Sequence, residues 1–239
     1  MRCGRLSGGK SIPPVSCRLN PERNCRTLPA MLPALFLIPL VALFRIFLAW
    51  QPVGASTWLM GASPLAAVAL CGGLFLPRRL ALAVPLGILL LSDLVIDAHY
   101  GANFFDASLL ARYVLLALIG LGGMALRHAS ARGVGVFALL AATLAGSVFF
   151  YVASNTLTWL GSPAYAQTAA GLWQALTVGL PGFPPSYLFF RNALVSDGLY
   201  SMVFLACVRL TRPVREANHS PFQAAAGSDR LLSGAPHRG

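Results

Sequence analysis

Six apolar stretches dominate this chain of 239 residues, and each is bounded by charged or turn-forming residues. A helix of about 20 residues, rising 1.5 Å per residue, covers the roughly 30 Å hydrocarbon layer of a bilayer. The composition agrees, because 56% of the residues are hydrophobic and only 10% are charged. These values exclude an ordinary soluble globular domain. The sequence therefore predicts an all-α integral membrane protein with six transmembrane helices, at about 28–50, 59–75, 80–96, 107–126, 134–153 and 189–208.

The distribution of Lys and Arg predicts the orientation of these spans. Fifteen of the 18 cations lie in the segment before the first span, in the second and fourth loops, and in the tail. Loops that carry Lys and Arg stay in the cytoplasm. We therefore predict a bacterial inner-membrane protein with both termini in the cytoplasm. Its parts would be a disordered basic leader at 1–27, a membrane domain at 28–208 and a disordered basic tail at 209–239. The net charge of +11 does not indicate nucleic-acid binding, because no soluble basic face is available.

Ionisable residues within the spans and their outward connections all fall in the outer half of the predicted bundle. A charge at the centre of a span costs roughly 2.5–3.5 kcal/mol, so such residues usually face the bundle interior or a wet cavity. Uncharged polar and aromatic groups join them at the end of the fifth span. The candidate substrate-binding residues are Arg45, Asp93, Asp97, Arg112, Asn155, Trp159, Arg191, Asn192 and Asp197.

Other interpretations of these residues stay open at this point. Arg side chains near span ends can reach the headgroups, and Trp159 can belong to an interfacial aromatic belt. Asp93 and Asp97 share one helix face and would repel each other unless Arg45, Arg112 or Arg191 stood opposite. An Arg–Asp network that only stabilises the bundle is the main alternative to a ligand pocket.

The outer connection at 154–188 contains no Lys or Arg and has a helical apolar pattern. Its apolar residues recur with helical spacing from Tyr165 to Leu180, and Pro181 ends the pattern. We predict an interfacial or re-entrant helix between the fifth and sixth spans that covers the outer mouth of the bundle. Long loops of this kind are often lids.

The sequence lacks the motifs of a nucleotide-binding loop, a metal site and a nucleophilic enzyme. There is no Gly-x-x-x-x-Gly-Lys-Ser/Thr loop for ATP, and the five Cys have no metal-ligand spacing. Ser147 has no membrane-depth His partner for nucleophilic catalysis. We therefore expect no enzyme activity, no metal and no cofactor, although an aspartyl enzyme built on Asp93 and Asp197 stays an alternative.

The sequence resembles an uncharacterised family of bacterial membrane proteins that are assigned to transport. The resemblance covers about residues 40–208, and it rests on Ser63 to Gly73, Leu76-Pro77-Arg78-Arg79, Leu91-Ser92-Asp93-Leu94, Ala145 to Phe150 with Ser154-Asn155, Thr168 to Leu172, Phe190-Arg191-Asn192 and Asp197-Gly198. That family is in turn similar to the substrate-binding S components of energy-coupling-factor (ECF) importers, which are six-helix bundles that bind ligand near the outer surface.

This resemblance implies an S-component-like bundle that captures a small polar solute from outside. It also implies partners, namely a transmembrane coupling subunit and ATPase subunits that supply energy. Two alternatives are kept: an ATP-independent carrier or channel that uses Asp93 or Asp197 as its protonatable group, and a structural membrane protein without a ligand.

Overall fold

The computed structural model describes residues 27–51, 59–101, 107–130 and 134–211, and these residues form helices joined by turns and short connections, with no strand among them. The helices, in chain order, are α1 (Thr27–Ala49), α2 (Leu65–Phe75), α3 (Ala83–Tyr100), α4 (Ala107–Ala129), α5 (Val136–Gly161), α6 (Ala169–Leu176) and α7 (Ser186–Leu210). The predicted all-α class is therefore confirmed. The part of the predicted leader before Thr27 and the tail from residue 212 lie outside the described residues.

Four helices in the described ranges are long and apolar enough to cross a membrane: Ala83–Tyr100, Ser108–Ala129, Val136–Gly161 and Ser186–Leu210. Their outer surfaces carry many exposed large hydrophobic side chains, which indicates a membrane-embedded protein. Two shorter apolar stretches, Leu35–Ala49 and Leu65–Phe75, accompany them. Four of the six predicted spans thus have the length and hydropathy of a membrane span, and α1 (Thr27–Ala49) coincides closely with the first predicted span.

The second predicted span, 59–75, is only partly helical. Gly61 adopts φ = 76°, a left-handed conformation that favours glycine, and helix α2 begins only after Pro64. With 11 residues, α2 is about 16 Å long, roughly half the hydrocarbon thickness. Every residue from Ala66 to Leu74 is buried, so α2 is a short central helix, and it packs against α3, α4, α5 and α7.

Small residues let α2 and α4 approach each other closely. A Cβ atom added to Gly73 would lie 2.0 Å from the carbonyl oxygen of Gly120, and one added to Gly123 would lie 2.5 Å from the carbonyl oxygen of Leu70. Neither backbone could accommodate such an atom without moving. This contact therefore depends on glycine on both helices, as small-residue packing in membrane bundles commonly does.

Helix α5 continues eight residues past its predicted end at 153, through the polar segment that suggested a boundary. The polar side chains there bond to carbonyls of their own helix: Asn155 Nδ2 donates to Tyr151 O at 2.8 Å, and Thr156 Oγ1 donates to Val152 O at 2.7 Å. Because these groups are satisfied locally, they do not end the helix.

The predicted helix in the outer connection is confirmed but shorter than expected. Helix α6 has eight residues, and Thr168 accepts a hydrogen bond from the Gly171 amide at its start. Gly171 and Ala175 are buried, whereas Trp173 is 69% exposed. The helix therefore buries its small residues and exposes its tryptophan, and its interfacial or re-entrant placement stays a prediction.

Candidate functional site

Asp93 of α3 is the centre of a polar cluster that joins three helices. Its carboxylate pairs with Arg45 of α1 at 2.5 Å and with Arg112 of α4 at 3.3 Å, and it accepts a hydrogen bond from the Tyr113 hydroxyl at 2.8 Å. Ser92 accepts a second hydrogen bond from Arg45 at 2.7 Å. We call these five residues the Asp93 cluster. It resolves the repulsion expected along α3, because two guanidinium groups stand against Asp93.

The members of the Asp93 cluster differ in exposure. The side chains of Asp93 and Arg45 are 4% and 10% exposed, but that of Arg112 is 39% exposed. Arg45 is thus the close, buried partner of Asp93, and Arg112 is the more distant and more accessible one. The cluster holds two positive charges and one negative charge.

Asp197 of α7 is buried in a different setting, without an ion pair among the described residues. Its Oδ1 accepts the backbone amide of Ala67 at 2.9 Å, and its Oδ2 accepts the Ser147 hydroxyl at 2.7 Å. The Ala67 amide belongs to the first turn of α2, which has no side-chain cap of its own. Asp197 therefore caps a helix from across the bundle, where the positive end of the helix dipole favours a carboxylate. Thr143 and Ser201 share a hydrogen bond of 2.9 Å nearby. We call Asp197, Ser147, Thr143 and Ser201 the Asp197 cluster.

Two adjoining cavities lie at this polar end of the bundle, and they share Leu65, Phe150 and Ser154 as lining residues. The smaller one, about 440 Å³, is bordered by Arg45 and Asp197. It is also lined by Ser63, whose Oγ is buried and has no hydrogen-bond partner in the described structure. The larger one, about 720 Å³, is a groove between α4 and α5 that contains Arg112. Both volumes fall in the range of small-molecule sites.

The structure brings five of the nine predicted site residues to the cavities or the Asp93 cluster: Arg45, Asp93, Arg112, Asn155 and Asp197. Asn155 borders the smaller cavity, although its amide nitrogen is used by α5 itself. Asp97 lies one turn beyond Asp93, is half-buried, and makes no ion pair within the described part of the chain.

The remaining three predicted residues line neither cavity. Arg191 is exposed and donates to the side chain of its neighbour Asn192, which in turn donates to Met60 O at 2.8 Å. Trp159 donates its indole N–H to Ala166 O at 2.8 Å, and Gln167 donates to Trp159 O at 2.7 Å. Trp159 thus holds the outer connection against α5.

The central part of the outer connection contributes no lining residue to the cavities. None of the residues that line either cavity falls between 163 and 185. The Tyr151 hydroxyl donates to Leu176 O and its ring packs against Phe190 at 4.5 Å, so α6 is attached to α5 and α7. The lid role of this connection stays a prediction.

The site also contains polar residues outside the nine predicted ones, and two of them have a recognisable signal in the sequence. Thr143 and Ser147 are four residues apart on an otherwise apolar helix, so they share one face of α5. Both are buried. Hydroxyl pairs at this spacing on a membrane helix indicate a polar contact inside the bundle.

Comparison with known proteins gives a family for the chain. A family model described as "Family of unknown function (DUF6580)" matches residues 26–220. The chain belongs to DUF6580. The match includes all seven helices of the described structure and every residue of both polar clusters.

No curated protein and no solved structure matches the chain. The family assignment to DUF6580 carries no activity, so function is argued from the site. The similarity to ECF S components stays a prediction from the sequence.

Proposed function

We propose that this DUF6580 protein is a membrane transport protein that captures a small polar solute from the outer face of the bundle. The observation that carries the proposal is the pair of adjoining cavities at the polar end of an otherwise apolar helical bundle. Polar groups inside a membrane protein are expensive, and they usually serve a ligand or an ion path. Here the polar groups border an open volume instead of being packed away completely.

The supporting framework is built from the two acidic clusters. Asp93 holds Arg45 and Arg112 in fixed positions beside the cavities, and Asp197 fixes the start of α2 at their base. Preorganised polar groups on helices lower the entropic cost of binding. A solute would thus meet guanidinium, hydroxyl and aromatic groups whose positions are already set.

The finer form of the proposal is that the chain acts as the substrate-binding subunit of an ECF-type importer. In that case a separate transmembrane subunit and ATPase subunits provide the energy, in keeping with the lack of a phosphate-binding loop in this sequence. The contacts support a proton-coupled carrier less well. Asp93 is held by two Arg and a Tyr, and Asp197 caps α2, so neither carboxylate is available without breaking the framework.

The test places a bulky side chain in the wall that the two cavities share and identifies any small molecule that the protein then no longer binds. Ser154→Phe places a ring where the two cavities meet, whereas Val152→Phe, on the same helix, places it at a side chain that is 44% exposed. Each protein would be purified in mild detergent and its bound small molecules identified by mass spectrometry. We expect a solute in the wild type and in Val152→Phe, and its loss in Ser154→Phe.

Two outcomes would contradict transport by solute capture. One is a wild-type protein that carries no small molecule, and the other is equal solute content in Ser154→Phe. Uptake of the identified solute by cells then separates the energy sources. ATP depletion would stop an ECF-type importer, and a protonophore alone would stop a carrier.

A further inference from the structure

The larger cavity has an unbalanced charge, and this imbalance distinguishes it from the smaller one. The smaller cavity is bordered by one guanidinium and one carboxylate, Arg45 and Asp197. Among the described residues that line the larger cavity, Arg112 is the only one with a charged side chain. An acidic lining residue is thus present in one cavity and missing from the described lining of the other.

Arg112 is only partly neutralised by its protein partner. Its distance to Asp93 is 3.3 Å, compared with 2.5 Å for Arg45, and Tyr113 also bonds to the same carboxylate. One carboxylate cannot balance two guanidinium groups. A guanidinium that is 39% exposed at the wall of this groove is stabilised when an anion approaches it.

The hydroxyl groups of the groove specify a second property of the ligand. Ser154 Oγ donates to Tyr151 O at 3.2 Å, and Thr158 Oγ1 donates to Ser154 O at 3.0 Å. Because each hydroxyl has one proton, both oxygens offer only lone pairs to the cavity. They would accept hydrogen bonds from a ligand that carries donors.

The rest of the lining is apolar. Leu65, Leu115, Phe150 and Leu157 border the same volume, which runs along one face of α4 and one face of α5. Such walls suit the carbon skeleton of an organic molecule better than a hydrated inorganic ion.

We infer that the larger cavity binds a small organic anion, whose carboxylate pairs with Arg112 and whose hydroxyl or amine group donates to Ser154 and Thr158. This inference rests on the proposed function and names the class of its substrate. It excludes organic cations, which Arg112 would repel.

The first test compares bound molecules in charge variants. Arg112→Gln removes the cavity charge, while Asp93 keeps Arg45 and Tyr113 as partners. Arg191→Gln is the matched control, because Arg191 is exposed and lines neither cavity. We expect a carboxylate-bearing solute to co-purify with the wild type and Arg191→Gln, and to be lost from Arg112→Gln but partly retained by Arg112→Lys.

The second test uses a defined pair of probes, 4-hydroxybenzoate and its neutral analogue 4-hydroxybenzamide, with binding followed by the thermal unfolding of the detergent-solubilised protein. We expect the acid to bind the wild type at least about tenfold more tightly than the amide, and this preference to disappear in Arg112→Gln.

The outcomes separate this inference from the proposed function. A co-purified solute without an oxyanion, or an acid preference that persists in Arg112→Gln, overturns the anion assignment and leaves solute capture intact. A phospholipid bound through its phosphate in an Arg112-dependent manner assigns the groove to lipid and overturns the proposal that it binds a small organic anion. If no solute co-purifies and neither probe binds, both proposals are wrong.

Discussion

Asp93 and Asp197 are both buried carboxylates in the same polar zone, yet the bundle stabilises them in different ways. Asp93 is neutralised by charge, since two guanidinium groups and a phenol surround it. Asp197 has no cation among its described partners and instead accepts a backbone amide and a hydroxyl. An ion pair depends on the charge of the side chain, whereas a helix cap depends on its acceptor atoms. The same substitution should therefore have different effects at the two positions.

The largest expected effect is that of Asp93→Asn. It leaves Arg45 and Arg112 without a counter-charge inside the bundle, which should lower the free energy of unfolding by about 3–5 kcal/mol. Reversible unfolding in mixed detergent micelles measures this change. Asp97→Asn is the control on the same helix face, and it should cost far less. Equal effects at 93 and 97 would show that the ion pairs contribute little.

Asp197→Ala should have the next largest effect. It leaves the Ala67 amide without its acceptor and removes one of the two acceptors of the Ser147 hydroxyl, at a cost of about 1–3 kcal/mol. The damage should be local, so amide hydrogen exchange should become faster in the first turn of α2 while the core of α4 stays protected. Unchanged exchange at Ala67 would contradict the capping role.

Asp197→Asn should cost about 1 kcal/mol or less. The amide oxygen can accept from Ala67, and the amide nitrogen can donate to Ser147, whose hydroxyl already donates to Thr143 O at 2.9 Å. This variant compares directly with Asp93→Asn in the same unfolding assay. If both cost the same, the negative charge matters at Asp197 too, and the contrast between the two clusters is wrong.

Arg191→Gln should have the smallest effect, within about 0.5 kcal/mol. Arg191 lies on an exposed face and bonds only to its neighbour Asn192 among the contacts described. Thermal unfolding with and without the co-purified solute checks both stability and binding. A large loss of stability or of solute binding would contradict this expectation and would make Arg191 a candidate binding residue again.

Hydropathy predicted the long helices well, because a residue in contact with lipid must be apolar whatever its neighbours are. Their ends were harder to predict. Hydropathy predicts that the second span begins at residue 59, but Gly61 and Pro64 delay the start of α2 until Leu65. It predicts that the fifth span ends at 153, but the side chains of Asn155 and Thr156 bond to carbonyls of their own helix, and α5 continues. Boundaries therefore depended on local hydrogen bonding, which hydropathy does not measure.

The sequence predicts the types of residue at the candidate site and their approximate depth in the membrane. The cost of isolated charges in a membrane predicts that Arg45, Arg112 or Arg191 stands opposite Asp93, and the structure pairs Asp93 with the first two. The cap on α2 could not be predicted in this way, because Ala67 and Asp197 are separated by 130 residues. The sequence also does not show which backbone amides lack a partner within their own helix. Arg191 and Trp159 look equivalent to the cavity residues in sequence, and only the packing separates them.

The shortness of α2 also has an electrical consequence. Cavities that admit water above its first turn would carry the aqueous potential of that side down to about the middle of the bilayer. Most of a membrane voltage would then fall along the roughly 16 Å of α2. Moving one elementary charge through that field is worth about 2.3 kcal/mol per 100 mV. If the proposed transport takes place, entry of a charged solute to the cavities would be nearly insensitive to voltage, and its movement across the level of α2 would be the electrogenic step.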